Sequence, residues 1–307
     1  MPKAYVFTRD GGPETEALVD LDRPRPGPGQ ILIAVRAAGV NPVDWKLREG
    51  FRRPGDAPRV HPVVFGSEAA GVVEETGEDV TGFAVGDEVF GNTVTGGCAQ
   101  YALLRADVTA HKPAEVSFTE AAALPVAAAT AHDGLRQLDL PEGATVLITG
   151  AGGGVGSAAV QLARTAGLRV LGVASAGKKG FVESLGAVHV PSGPGWTERA
   201  RAAAPDGVDA VFDLVGGDVL TEAAGLLTDR SKLITAGAAA QDVEKLGGHR
   251  LVRTRTRAVL DEVARLVVRG DLNPHVTRTF PLERADEALR AVEDGHSQGK
   301  IVIEVSG

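Results

Sequence analysis

At 307 residues, with 43% hydrophobic and 23% charged residues, the chain has the balance of a soluble globular protein and the length of about two domains. A net charge of -8 without a basic run argues against nucleic acid or an anionic membrane as the main partner, and no apolar run approaches the roughly 20 residues that cross a bilayer. One cysteine, Cys98, excludes an internal disulfide framework; with a start, MPKAYVFTRDGG, that lacks a signal-peptide pattern, it points to the reducing cytoplasm.

The first third reads as β-rich. KAYVFT, ETEALVDLD, QILIAVRAAG, GVVEET, DEVFG and CAQYALL are short β-prone stretches separated by turn material such as RPRPGPGQ and VTGFAVGD. From about Ser117 the texture changes. FTEAAALPVAAATAHDGL is an Ala-rich helical stretch interrupted by Pro125, and strands then alternate with helices. Ala144–Thr149 reads as a buried strand, Val155–Ala166 as a helix and Arg169–Ala174 as the next strand. GFVESLG, VHV, TERARAAA, DAVFDLV, TEAAGLL, KLITAG and TRAVLDEVARLVVRG continue the series. Such alternation implies βαβ units and a mainly parallel sheet with right-handed crossovers. HVTRTF, the helix LERADEALRAVEDG and the strand KIVIEV close the chain. The expected organisation is a β-rich domain over 1–116, a doubly wound α/β domain over 117–270 and a return segment over 271–307.

The glycine cluster GAGGGVG lies between the strand ATVLIT and the helix SAAVQLARTAG. A phosphate at a helix N-terminus meets free backbone N–H groups and the positive end of the helix dipole. Ala151 holds the first glycine place of the dinucleotide fingerprint, with Gly153 and Gly156 in the second and third. A glycine turn used only for packing is the plain alternative, but the strand before and the helix after favour dinucleotide binding. Gly153, Gly154 and Val155 are the expected pyrophosphate contacts. At the end of the second strand, where an acid would hold the ribose 2′-hydroxyl of NAD, the chain has Ser175, followed by AGKK. Ser175, Lys178 and Lys179 suit a 2′-phosphate, so NADPH is favoured over NADH.

Several stretches together resemble the zinc-free quinone oxidoreductases, the zeta-crystallin-like group of the medium-chain dehydrogenase/reductase superfamily. They are AAGVNPVDWKLREG, FGSEAAGVVEETGEDVTGFAVGDEVFG, FTEAAALPVAAATAHDGL, VLITGAGGGVGSAAVQLAR, DAVFDLVGG and GHSQGKIVIEV. The resemblance runs nearly end to end. It implies an α/β protein with a GroES-like β-rich catalytic domain and a Rossmann doubly wound parallel sheet domain. A cleft between the domains for NADPH and substrate is implied as well, and a homodimer or a tetramer of dimers.

Catalytic zinc needs three Cys, His, Asp or Glu ligands around an open position. Asn41 stands where zinc-dependent relatives supply a cysteine, and Gly66-Ser67-Glu68 where they carry Gly-His-Glu. A chance site from His61, Glu68 and Cys98 is the weak alternative, so no metal is expected. Hydride transfer to a quinone or enone then places negative charge on a carbonyl oxygen, which hydrogen-bond donors or water must stabilise. By the resemblance, Asn41 and Asp44 lie beside the nicotinamide. Asn41 is expected to donate through its amide and Asp44 to orient its neighbours, with Pro42 fixing the chain. Trp45 is expected to wall the pocket, and Lys46 to offer a positive charge. The plain alternatives are an ordinary Asn-Pro turn, a helix cap at Asp44, a core tryptophan and a solvated lysine. Tyr5 and Tyr101 are the only tyrosines, and neither falls where relatives carry one, so water is the simpler proton source.

Val215-Gly216-Gly217 and Ala236-Gly237-Ala238 follow strands of the Rossmann half and allow close backbone approach to the nicotinamide half of the cofactor. Thr130 matches a cofactor-contacting position of the family. Ser192 stands in for an adenine-side tyrosine. Arg253, Arg255 and Arg257 suit either an anionic substrate tail or a solvated edge. Phe51–Arg59, Asn92–Gly97 and Gln241–Gly248 are expected to shape the substrate pocket. The leading reading is a quinone or enone reductase. An enoyl-thioester reductase and a non-catalytic NADPH-binding sensor or structural protein are the alternatives.

Overall fold

The computed structural model describes residues 1–52 and 58–306; residues 53–57, within the pocket-shaping stretch Phe51–Arg59, lie outside the described residues. In chain order the elements begin with β1 (Lys3–Phe7), β2 (Glu16–Asp20), β3 (Gln30–Val40), α1 (Pro42–Arg48), β4 (Val63–Val64), β5 (Glu68–Thr76), β6 (Glu88–Thr93), β7 (Tyr101–His111) and α2 (Phe118–Ala121). There follow α3 (Ala129–Leu138), β8 (Thr145–Thr149), α4 (Gly154–Thr165), β9 (Arg169–Ala174), α5 (Lys179–Ser184), β10 (Val188–Pro191), α6 (Trp196–Ala203), β11 (Ala210–Asp213), α7 (Gly217–Ala224), β12 (Leu233–Thr235), α8 (Ala240–Glu244) and β13 (His249–Arg250). The chain ends with α9 (Arg257–Val268), β14 (Val276–Pro281), α10 (Ala285–Glu293) and β15 (Lys300–Glu304).

The elements fall into two compact units, one of Met1–Val126, Arg255–Val268 and Val276–Gly307, the other of Ala127–Thr254 and Arg269–His275. In the first, β14-β15-β3-β5-β6-β7 form one sheet. The first half of β3 also pairs with β7, Gln30 opposite Arg105 through Ala34 opposite Tyr101, so β3, β5, β6 and β7 close on themselves. Register shifts in β3 at Leu32/Ile33 and Val35/Ala37 give the extra bend that closure needs. Ala285, Ala288, Leu289 and Val292 recur at helical spacing along α10 and bury that face among Phe7, Ile33, Ile301 and Ile303. This is the GroES-like unit.

The second unit is a six-stranded parallel sheet, β10-β9-β8-β11-β12-β13. All five residues of β8 are buried, as expected of a central strand covered on both faces. Strand order reverses between β8 and β11, and that switch point is where ligands bind in open α/β sheets. Trp196, Ala200, Leu220 and Ala223 pack helices α6 and α7 onto Leu147, Leu171 and Val211 of the sheet.

The interruption expected at Pro125 has a physical cause. The Ala-rich run around Pro125 is not one helix: α2 stops at Ala121 and a wide π-helical turn, Leu124–Ala128, precedes α3. Proline lacks an N–H and crowds the preceding turn, and widening the helix relieves both problems. The pocket-shaping stretch Gln241–Gly248 overlaps the short helix α8, Ala240–Glu244.

Candidate active site

In the first unit the NPVDWK stretch is a helix. Asn41 is extended and Pro42 occupies the first helical position, where its missing N–H costs nothing. Asp44 sits three residues into α1, and its Oδ2 accepts from the Asn41 backbone N–H at 2.8 Å. Its Oδ1 accepts from the Ser67 hydroxyl at 2.8 Å. Asp44 is fully buried, and desolvation pushes its pKa up to about 6, against the pull of its hydrogen bonds. It is therefore a helix cap held buried inside the first unit.

Asn41 does not present the free amide expected of it. Its Nδ2 donates to Glu68 Oε1 at 2.7 Å, and its Oδ1 accepts from Lys300 Nζ at 2.7 Å. Lys300 also donates to Glu68 Oε1 at 2.8 Å and to the Val40 carbonyl at 3.1 Å. Glu68 Oε2 accepts from the Val126 N–H at 2.6 Å. Lys300 is 3% and Glu68 0% exposed. Burial on this scale is tolerable for two charges only when they face each other and every lone pair is met. Gly39 makes room for the arrangement, since a Cβ there would stand 2.2 Å from Glu68 Oε1 and 2.5 Å from the Ala122 carbonyl.

This network answers whether the site fits zinc. Glu68 is held by an ammonium and two N–H donors, and Cys98 is a buried thiol whose pKa desolvation drives well up. His61 lies against Phe7 and near Asp10 instead. Among the described residues no three His, Cys, Asp or Glu side chains gather where they could hold a metal ion. The donor set does not suit zinc, and the chance site from His61, Glu68 and Cys98 does not form.

Trp45 is half-buried against the core of the first unit, with its indole Nε1 buried and without a partner among the described residues. The exposed Lys46 places its Nζ 5.5 Å from the Trp45 ring centroid. A pocket of about 370 Å³ in this unit is lined by Lys3, Leu21, Val60, Val64 and Tyr101 among others, with Val94 and Thr95 from the Asn92–Gly97 stretch; Asn41, Asp44, Trp45 and Lys46 do not line it.

In the second unit Gly153 is the N-cap of α4, and Gly154 and Val155 open the helix, with no side chain capping it. The Gly153 N–H is taken by the Gly150 carbonyl at 3.0 Å, so the first-turn donors left over are those of Gly154, Val155 and Gly156. Gly156 lets the helix approach the turn: a Cβ there would be 2.2 Å from the Gly150 carbonyl. Lys178 lies across Gly152, whose Cβ would stand 2.5 Å from Lys178 Cδ, and partial burial lowers the Lys178 pKa. Ser175 and Lys179 are exposed, Lys179 being 3.9 Å from Glu183. The glycine turn, the open helix end and Lys178 thus fit a dinucleotide.

Thr130 is buried and its hydroxyl accepts from Arg253 Nη1 at 2.6 Å. Arg253 also binds Asp133 at 3.1 Å, while Arg257 donates to the Thr109 and Ala106 carbonyls and covers the Phe83 ring. These two arginines are engaged within the fold, which fits neither the anionic substrate tail nor the solvated edge that the sequence left open for them; Arg255 is exposed. Val215 is half exposed, Gly216 adopts a φ of +82°, and Ala236 and Gly237 follow β12. Ser192 is exposed just past β10. Sequence reasoning passed over Lys300, Ser67 and Asp213. Lys300 opens a short strand, KIVIE, with no local motif to mark it.

A closed GroES-like sheet and a Rossmann sheet in one chain, with a glycine turn at the helix end, define a medium-chain dehydrogenase/reductase. The comparisons narrow this. Residues 27–128 match the alcohol dehydrogenase GroES-like domain and residues 185–303 the zinc-binding dehydrogenase domain. A chloroplastic quinone-oxidoreductase homolog of Spinacia oleracea is 33% identical over 96% of this chain and 95% of its own. A chloroplastic NADPH-dependent alkenal/one oxidoreductase of Arabidopsis thaliana is 32% identical over 98% of this chain and 79% of its own. The solved quinone oxidoreductase of Coxiella burnetii superposes with a TM-score of 0.90 at 32% identity, covering 99% of each chain. The chain belongs to the zinc-independent quinone oxidoreductase family of the medium-chain dehydrogenase/reductase superfamily. The Rossmann-like unit of such oxidoreductases binds a nicotinamide cofactor.

Proposed function

We propose that this protein is an NADPH-dependent, metal-independent reductase of quinones or enones. The observation that carries the reading is the β8–α4 junction, where uncapped N–H groups of Gly154 and Val155 stand beside Lys178 and no carboxylate follows β9. Gly154 and Val155 would hold the pyrophosphate, and Ser175, Lys178 and Lys179 the 2′-phosphate. A bound nicotinamide supplies hydride donation. The chain's own work is to bind, orient and offset charge. Lys46, whose ammonium is exposed beside Trp45, is the cation available to the developing enolate, since the Asn41 amide is engaged by Glu68. Asp44 and Ser67 keep Asn41 and the head of α1 in place. The proton comes from water.

The relatives named as quinone and alkenal/one oxidoreductases support this substrate class. The enoyl-thioester alternative keeps only Arg255 of its sequence hint, because Arg253 and Arg257 are engaged within the fold. The buried, single Cys98 suits a reducing cytoplasm, and a homodimer is the proposed assembly. Among the described residues no helix is long and apolar enough to cross a membrane. The test is NADPH oxidation by chelator-treated protein against a panel of quinones, enones and enoyl thioesters, with NADH in parallel. Turnover of quinones or enones preferring NADPH supports the proposal. NADPH binding without turnover would move the assignment to a non-catalytic binder.

A further inference from the structure

The turns expected on the nicotinamide side, 215–217 and 236–238, hang from one buried carboxylate. Asp213 is the last residue of β11 and 0% exposed. Its Oδ1 accepts from Thr149 Oγ1 at 2.7 Å, Val215 N at 3.2 Å and Gly216 N at 3.2 Å. Its Oδ2 accepts from Thr235 Oγ1 at 2.6 Å and Gly216 N at 3.0 Å. The two threonines end β8 and β12 and are themselves fully buried. Thr149 Oγ1 accepts from Leu214 N at 2.9 Å, and Thr235 Oγ1 from Gly237 N at 3.0 Å and Ala238 N at 3.2 Å.

One carboxylate therefore joins the C-terminal ends of three adjacent parallel strands and both turns beyond them. The turns also meet back to back. A Cβ at Gly216 would stand 2.9 Å from the Gly237 carbonyl, and one at Gly237 2.6 Å from Val215 N. Neither turn can shift without the other. A buried charge is costly, and an apolar residue would serve the sheet as well. What the charge adds is order beyond the sheet, at N–H groups of turns lying at the switch point between β8 and β11, where ligands bind.

We infer that Asp213 is a positioning residue for the nicotinamide half of the cofactor, fixing the 215–217 and 236–238 turns through Thr149 and Thr235. The inference rests on the nicotinamide-dependent reading above. In Asp213→Asn one oxygen can still serve Thr149, Val215 and Gly216. The new NH₂ then faces Thr235 Oγ1, which already accepts two backbone N–H groups, so the 236–238 turn loses its anchor. Thr235→Val removes the same link while keeping the carboxylate, and Thr235→Ser restores it.

The experiment measures, for wild type and the three variants, kcat/KM for NADPH with 2-methyl-1,4-naphthoquinone and Kd for 2′,5′-ADP. It also measures which hydrogen is lost from (4R)- and (4S)-[4-²H]NADPH. A nicotinamide-positioning role lowers kcat/KM by roughly tenfold or more in Asp213→Asn and Thr235→Val and erodes the facial selectivity. The 2′,5′-ADP affinity stays within about twofold, and Thr235→Ser recovers activity. Folded variants with unchanged kcat/KM and selectivity, or with 2′,5′-ADP affinity falling in parallel, would overturn the inference alone. Wild-type protein that binds neither NADPH nor 2′,5′-ADP would overturn the reading beneath it.

Discussion

Lys300→Met is the substitution that most directly strains the first unit's site. It removes an ammonium that donates to Glu68 Oε1, Asn41 Oδ1 and the Val40 carbonyl, all in a region closed to water. Glu68 keeps only the Asn41 amide and the Val126 N–H, so its charge stays buried and largely uncompensated. Breaking a buried pair in this way costs about 3–5 kcal/mol. Glu68→Gln alone strands the Lys300 charge among neutral acceptors and should cost a similar amount. The double variant carries no buried charge and should recover most of the loss, giving a coupling energy of about 3 kcal/mol. Urea unfolding of all four proteins at pH 7, with m-values compared, measures this cycle. A coupling below about 1 kcal/mol, the size of an exposed ion pair, would refute the claim that the Lys300–Glu68 pair organises the site.

Asp44 makes stability depend on pH. With its carboxyl pushed up to about 6 in the folded chain from its ordinary 3.8, the native state holds the proton longer than the unfolded state. Its stabilising contribution is thus complete below about pH 4 and lost as pH rises to about 6, by about 3 kcal/mol. Asp44→Asn should flatten that slope in unfolding experiments across pH 4 to 7. Gly156→Ala drives a methyl into the Gly150 carbonyl and should destabilise the second unit by about 1–3 kcal/mol while weakening NADPH binding, read by calorimetry. Lys178→Ala should weaken NADPH about tenfold and leave NADH unchanged, read from the ratio of their dissociation constants.

The fold was legible because its signals are local. Apolar strands alternating with amphipathic helices give the parallel sheet, and the strand–glycine–helix junction at Ala144–Gly167 places the phosphate end. The closed sheet of the first unit was not legible from residues alone, since β3 meets both β5 and β7 through long-range register. The site divides along the same line. Gly153, Gly154 and Val155 are proposed from their spacing, and Lys178 from its place after β9. The Lys300–Glu68–Asn41 network joins residues 259 and 27 positions apart in sequence, and nothing in either neighbourhood announces the partner. Likewise Asp213 reads as one acid in DAVFDL, and only the sheet order brings Thr149 and Thr235 to its two oxygens. The arginines at 253 and 257 stayed open between a substrate tail and a solvated edge for the converse reason: a basic run looks free until the carbonyls and carboxylate that receive it are known.

The central claim is hydride transfer without a metal, and isotope tracing tests it most directly. Chelator-treated protein is given [4-²H]NADPH of each configuration and a simple enone, and the product is read by NMR. Deuterium is expected at the β-carbon of the saturated ketone from one configuration only, at a rate that added zinc does not change. Absence of transfer to any enone or quinone, or transfer that appears only when zinc is restored, would contradict it.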